Sequence, residues 1–158
     1  MASELYEKGL AKRKSVLGDE YVDRALDAGP FASDFQAYLT EYCWGAVWTD
    51  DTLSDKQRSM LNVAMLATLN RMHEWELHFR GALTNGVTRE ELAAIIKQIT
   101  CYAGAPVGVE CHRIAKRVFA EIDGATVCAV RCPRAPEPVF VAQGGGTELW
   151  VRVGNSTR

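Results

Sequence analysis

The chain has 158 residues, enough for one domain with a full hydrophobic core. It is 47% hydrophobic and 24% charged, with a formal net charge of -2. That is a globular composition without the basic surplus that nucleic acid or an anionic membrane would require. "MASELYEKGLAKRK" carries no apolar secretory region, and no apolar stretch reaches the length of a membrane span. The expectation is a cytoplasmic protein with neither a nucleic-acid nor a membrane partner.

In chain order, residues 3 to about 122 read as helix. "SELYEKGLAKRKSVLG" is an amphipathic opening helix that stops near Gly18, and "DEYVDRALDAG" is a short second one ended by Gly29-Pro30. "FASDFQAYLTEYCWGAVW" follows, with Phe35, Tyr38, Leu39, Tyr42 and Ala46 on one face and Trp44 and Trp48 on the far side. A helix with large apolar groups on both sides is sandwiched between neighbours or lies at a subunit interface. "SDKQRSMLNVAMLATLNR" opens with a Ser54–Gln57 capping box and continues almost uniformly apolar, the pattern of a buried central helix. Arg58 lies in line with Met65 on it and is expected to point inward.

"NRMHEWELHFRGALTNG", residues 70–86, is the most informative stretch. At about 100° per residue, Glu74 and His78 fall within about 60° of Arg71, so the three form one stripe opposite the solvated His73, Glu76 and Arg80. An internal ion-pair ladder would explain it, but such ladders stabilise little, because desolvation offsets the attraction. Three ionisable groups on one inward stripe therefore favour a site over a strut. "TREELAAIIKQITCYAG" then opens with a Thr88–Glu91 capping box, and "APVGVECHRIAKRVFAEI" presents Cys111, Ile114, Ala115, Val118, Phe119 and Ile122 as its core face.

After Asp123-Gly124 the composition changes. "PVFVA" and "ELWVRV", joined by "QGGGT", have the pattern of a short β-hairpin in a tail with no catalytic part. The division is thus a helical domain, 1–123, and a tail of unknown role, 124–158. Of five cysteines without a secretory context, Cys43, Cys101 and Cys111 read as reduced thiols; Cys128 and Cys132 have the spacing of a disulfide or half a metal site, but no second pair follows them, which disfavours zinc. Nucleophile elbows, metalloprotease helices, phosphate loops and dinucleotide fingerprints are all missing from the sequence. Metal binding by Glu74 and His78 is disfavoured by the arginine on their stripe, which points to an anionic ligand such as a carboxylate.

The succession "EYCWGAVWT", "RSMLNVAMLATLNR", "HFRGALTNGVTREEL" and "YAGAP", spanning residues 5–122, resembles the carboxymuconolactone decarboxylases, in their γ-carboxymuconolactone branch. The resemblance implies an all-α, alkylhydroperoxidase-D-like domain of six to seven helices, assembled as a homo-oligomer, trimer or hexamer. It also implies cofactor-independent conversion of 4-carboxymuconolactone to 3-oxoadipate enol-lactone and carbon dioxide, a step of protocatechuate catabolism. On that basis His78 is the proton donor, Glu74 sets its tautomer, Arg71 with Arg58 clamps the carboxylated lactone, and Trp44 and Trp48 wall the pocket. Alkylhydroperoxidase-D proteins carry C-x-x-C-x-x-x-H, and here the two thiol positions are Arg71 and Glu74. A thiol oxidoreductase would therefore need a distant cysteine, of which Cys101 is the candidate; a non-catalytic oligomeric binding protein is the other alternative. Tyr42 and a position near Arg113 depart from the family, whose members place histidines there, so a divergent member acting on another carboxylated lactone also stays open.

Overall fold

In a computed structural model of the protein, the described residues are 3–124 and the backbone of four short strands between residues 139 and 157. The helices are α1 (Glu4–Leu17), α2 (Asp19–Leu26), α3 (Pro30–Tyr38), α4 (Asp55–Thr68), α5 (Met72–Thr84), α6 (Arg89–Ala103) and α7 (Ala105–Ile122). Between α3 and α4 the chain runs on from α3 as a π-helix, Leu39–Trp48, here called the π segment. The fold is all-α, as the sequence predicts. Backbone contacts divide the chain into residues 1–125 and 126–158. In the second unit β1 (Val139–Gln143) pairs antiparallel with β2 (Gly146–Trp150), and β3 (Arg152–Val153) with β4 (Ser156–Thr157). The expected disulfide or metal pair, Cys128 and Cys132, lies outside the described residues.

Local signals set most boundaries. Ser3 caps α1 by accepting from the Tyr6 amide, and Pro30 occupies the first position of α3 behind Gly29. Both expected capping boxes form, Ser54 with Gln57 and Thr88 with Glu91.

The main core gathers α4 to α7 around Val63, Trp75, Phe79, Leu92, Cys111 and Val118, all fully enclosed. Trp75 donates its indole N–H to the Val63 carbonyl at 3.0 Å and stacks on Phe79, so its single polar group is satisfied inside the core. A second, smaller cluster consists of Val16, Trp44 and Trp48, where α1 meets the π segment. Two sequence expectations are corrected here. α4 is a half-buried helix rather than a buried one: Leu61, Met65 and Leu69 face outward. Ile122, expected in the α7 core face, is likewise exposed, because the last turn of α7 runs past the core.

α1 packs on the π segment at backbone contact. A Cβ on Gly9 would lie 2.6 Å from the Gly45 amide nitrogen and closer still to the Thr40 carbonyl; one on Gly45 would strike the Leu5 backbone. Arg13, 4% exposed, reaches across the same contact, donating to Gln36 Oε1 at 2.8 Å and Thr40 Oγ1 at 3.0 Å. It therefore grips both sides of the α-to-π junction. A π winding closes i→i+5 rings, so its turns are wider than those of an α-helix. Thr40, Trp44 and Trp48, spaced four apart along it, all face inward. Phe35, Tyr38 and Tyr42 are left exposed.

Gly9→Ala gives a sign test of this contact. At an indifferent mid-helix site the change would stabilise by about 1 kcal/mol through helix propensity. Here it should destabilise by about 3 kcal/mol, the upper end of overpacking costs, in urea unfolding.

Candidate active site

The stripe expected on the fifth helix is not formed as read. Asn70 takes the left-handed conformation, φ 55°, and closes α4: its N–H bonds to the Ala67 carbonyl, and the Arg71 N–H to the Leu66 carbonyl, each at 2.9 Å. That is a Schellman closure with Asn where Gly is usual. Arg71 is thereby spent on the turn. It caps α5 with non-helical φ −96° and ψ 67°, and its side chain is exposed. Glu74 sits in the first turn of α5 and is exposed too. The buried face of α5 is instead the neighbouring line of Trp75, Phe79 and Ala82.

His78 alone of the three is partly buried. Its ring lies 6.3 Å from each of the Trp44 and Trp48 rings, nearly parallel to both, at 4° and 22°. The two indoles stack on each other at 4.8 Å and are 6% and 7% exposed. The structure thus brings His78, Trp44 and Trp48 together, and these aromatic contacts link α5 to the α1–π cluster. On the third side stands Asn62 of α4, its Nδ2 3.4 Å from His78 Nδ1. Sequence reasoning missed Asn62. The available signal was a lone amide inside the apolar run "MLNVAML", one turn from Arg58.

Arg58 does turn inward, with a side chain 12% exposed. It donates to the Asp50 carbonyl at 2.6 Å and to Asp50 Oδ1 at 3.0 Å, while its Nε has no partner among the described residues. A surface hollow of about 380 Å³ lies against it, lined also by Ala46, Val47, Asp50, Thr52 and Leu53 at the end of the π segment. A hollow of about 680 Å³ opens elsewhere, between α1 and α3, and neither hollow is lined by His78, Trp44, Trp48 or Asn62.

Burial lowers the pKa of His78 from its ordinary value, and the Glu74 carboxylate one turn earlier opposes this more weakly. No hydrogen bond joins Glu74 to His78 among the described residues, so Glu74 acts on the imidazole through charge rather than contact. Of the described thiols, Cys43 is exposed on the π segment, next to Trp44 in sequence. Cys101 is exposed on α6, which packs on α4 and α7, and Cys111 is buried with its thiol pushed up to about 11. The other histidines, His73 and His112, are exposed. Among the described residues no group of three His, Cys, Asp or Glu side chains is placed to hold a metal ion, and no helix is long and apolar enough to cross a membrane.

A sequence model of the carboxymuconolactone decarboxylase family matches residues 33–117, which include every residue of this cleft. The chain belongs to that family. It is 36% identical over 118 residues to the 4-carboxymuconolactone decarboxylase of Acinetobacter baylyi, an alignment covering 74% of this chain and 88% of the relative. It is 37% identical over 116 residues to the nitrosuccinic acid decarboxylase of Metarhizium robertsii, covering 73% of this chain and 81% of that protein. Both named relatives of this family member are decarboxylases.

The burial of His78 sets two expectations. In a proton-detected titration its imidazole should change charge below 6.5, the ordinary value, and Trp48→Ala, which opens one wall, should move it back toward that value. Because the unfolded imidazole binds protons more readily than the folded one, this contribution to stability is complete above about 6.5 and is lost as pH falls toward the folded pKa. The melting temperature of His78→Gln should accordingly fall less than that of the wild type between pH 7.5 and 5.5.

Proposed function

We propose that the protein catalyses the cofactor-independent decarboxylation of 4-carboxymuconolactone to 3-oxoadipate enol-lactone, in protocatechuate catabolism. The observation that carries the reading is a half-buried imidazole laid against two indoles, with an inward arginine one turn along α4 from its amide neighbour. The family and its decarboxylase relatives support it.

The chemistry asks little beyond what such a cleft offers. The bond between the γ-carbon and its carboxylate breaks, carbon dioxide leaves, and the electron pair moves through the ring double bond to the lactone carbonyl. A furan-like dienolate results, and after carbon dioxide has left its α-carbon takes up a proton from water. The substrate is its own electron sink. The protein must bind an anion, shield the departing carboxylate from water and stabilise the oxyanion as it forms. Trp44 and Trp48 supply an apolar wall that an approaching carboxylate leaves its hydration shell to meet. Arg58 supplies the charge: of the two arginines considered it is the half-buried one, held by Asp50 at the edge of the smaller hollow. His78 meets the oxyanion. Glu74 and Arg71 stand at the exposed mouth of α5, where they influence the charge of the cleft without lining its floor.

The relative named for nitrosuccinic acid favours a second substrate of the same logic. A nitro group beside a carboxylate is also an electron sink, so the same oxyanion stabilisation serves either acid.

We further propose that the protein is a homo-oligomer, trimer or hexamer. Phe31, Phe35, Tyr38 and Tyr42 leave aromatic side chains of α3 and the π segment exposed, and clustered exposed apolar groups mark interaction surfaces. Light scattering should therefore return a mass of three or six chains, and Tyr38→Glu should lower it; a monomeric wild type would refute the assembly.

Carbon dioxide release from 4-carboxymuconolactone generated in situ, and from nitrosuccinate, tests the activity. The wild type should turn over the lactone, with His78→Ala slower by at least about a hundredfold, the usual scale for a lost oxyanion donor. Turnover of nitrosuccinate alone would transfer the mechanism to that substrate. Silence on both would overturn the reading.

A further inference from the structure

We propose that Asn62 is the positioning residue of the site: its amide locks His78 in the tautomer with a bare Nδ1 and a protonated Nε2, so that the imidazole works as a neutral hydrogen-bond donor. This rests on the decarboxylase reading only for its kinetic consequence; the tautomer itself is a property of the resting protein.

The imidazole of a neutral histidine has one donor and one acceptor nitrogen, and the partner of one decides what the other presents. His78 Nδ1 has Asn62 Nδ2 as its polar neighbour, at 3.4 Å. With the amide nitrogen on that side, Asn62 donates and Nδ1 must accept, which leaves the proton on Nε2. Among the described residues no other group hydrogen-bonds to either ring nitrogen. Trp44 and Trp48, stacked on each other, lie together on one side of the imidazole and hydrogen-bond to neither nitrogen. The charged group that acts on His78 is Glu74 on the same helix, and Arg58 stands one turn before Asn62 on α4. The first makes no hydrogen bond to the ring, and the second is bonded to Asp50. α1 faces α5 with Val16 and Leu17, at Gly81. A carboxylate bonded to Nδ1 would have required its proton and favoured the charged ring. An amide donor instead favours the neutral one, and burial works in the same direction.

The sequence expectation gave Glu74 the task of setting the tautomer. The geometry assigns it to a residue on a different helix. The mechanistic consequence is specific. A neutral imidazole whose Nδ1 carries no proton is far too weak an acid to surrender its Nε2 proton to carbon. It donates a hydrogen bond to the oxyanion and keeps its proton throughout, as an uncharged electrophile does.

The test begins with the wild type labelled with 15N at histidine, His73 and His112 being assigned by substitution. At pH 7.5 the His78 signals should show a protonated Nε2 and an unprotonated Nδ1. Asn62→Leu should give a mixture of tautomers, and Asn62→Asp should invert the assignment and raise the His78 pKa. In turnover, both variants should lose on the order of tenfold or more in kcat with KM changed less than twofold, because the ring stays in place and only its donor is misdirected. A protonated Nδ1 in the wild type, or an Asn62→Leu protein with the wild-type tautomer, would overturn the proposal. Asn62→Gln, which keeps the amide at longer reach, guards against a folding defect in the other two and should recover part of the wild-type tautomer. If the protein decarboxylates neither substrate, the spectra still decide the tautomer, so this inference and the assignment of activity fail separately.

Discussion

Everything at the candidate site depends on α1 touching the π segment backbone to backbone. Gly9 and Gly45 have no room for a methyl group between them, and Arg13 ties the end of α3 to the start of the π winding from inside that contact. Burying an arginine without a carboxylate beside it is costly, and its own pKa is lowered by the burial. The hydrogen bonds it makes explain what the arrangement gains. They secure the junction at which the helix changes pitch, just ahead of Trp44 and Trp48.

From there the site is a meeting of two cores rather than a pit in one. The main core of α4 to α7 is closed by Trp75, Phe79 and their neighbours, and contributes His78 and Asn62 from its rim. The smaller cluster on α1 contributes the two indoles. An imidazole at this boundary is dry enough to be held neutral, yet it is not sealed in. That balance suits a reaction in which negative charge moves from a carboxylate to a carbonyl oxygen and no charge is created. A permanently cationic group on the floor of the cleft would bind the substrate carboxylate at least as well as the transition state and so contribute less to the rate.

The sequence was legible where its signals were local. Capping boxes at Ser54 and Thr88, the prolines opening α3 and α7, and the glycines at 18, 86 and 104 act within a few residues, and each boundary stands where those residues put it. His78 could be singled out for the same reason, since its spacing from Trp75 and Phe79 sets it beside the core face of its own helix. Arg71 was misread because a helical wheel assumes an unbroken helix, and Glu74 because a wheel does not show that the core leaves the first turn of α5 uncovered. The break at Asn70 is an asparagine in a conformation that glycine takes far more readily, so its residue type gives little warning.

By itself, then, the amino-acid order determined an all-α domain, its helix ends, the histidine and the family to which the chain belongs. Those follow from periodicity, capping chemistry and a run of residues matched in order. Only the tertiary structure decided that Trp44 and Trp48 flank His78, that Asn62 reaches it from α4, and that Glu74 stays in solvent. Each of these depends on the rotation of one helix against another. Such a rotation is set by backbone approach at two glycines and a local change of pitch, neither of which has a period that the sequence displays.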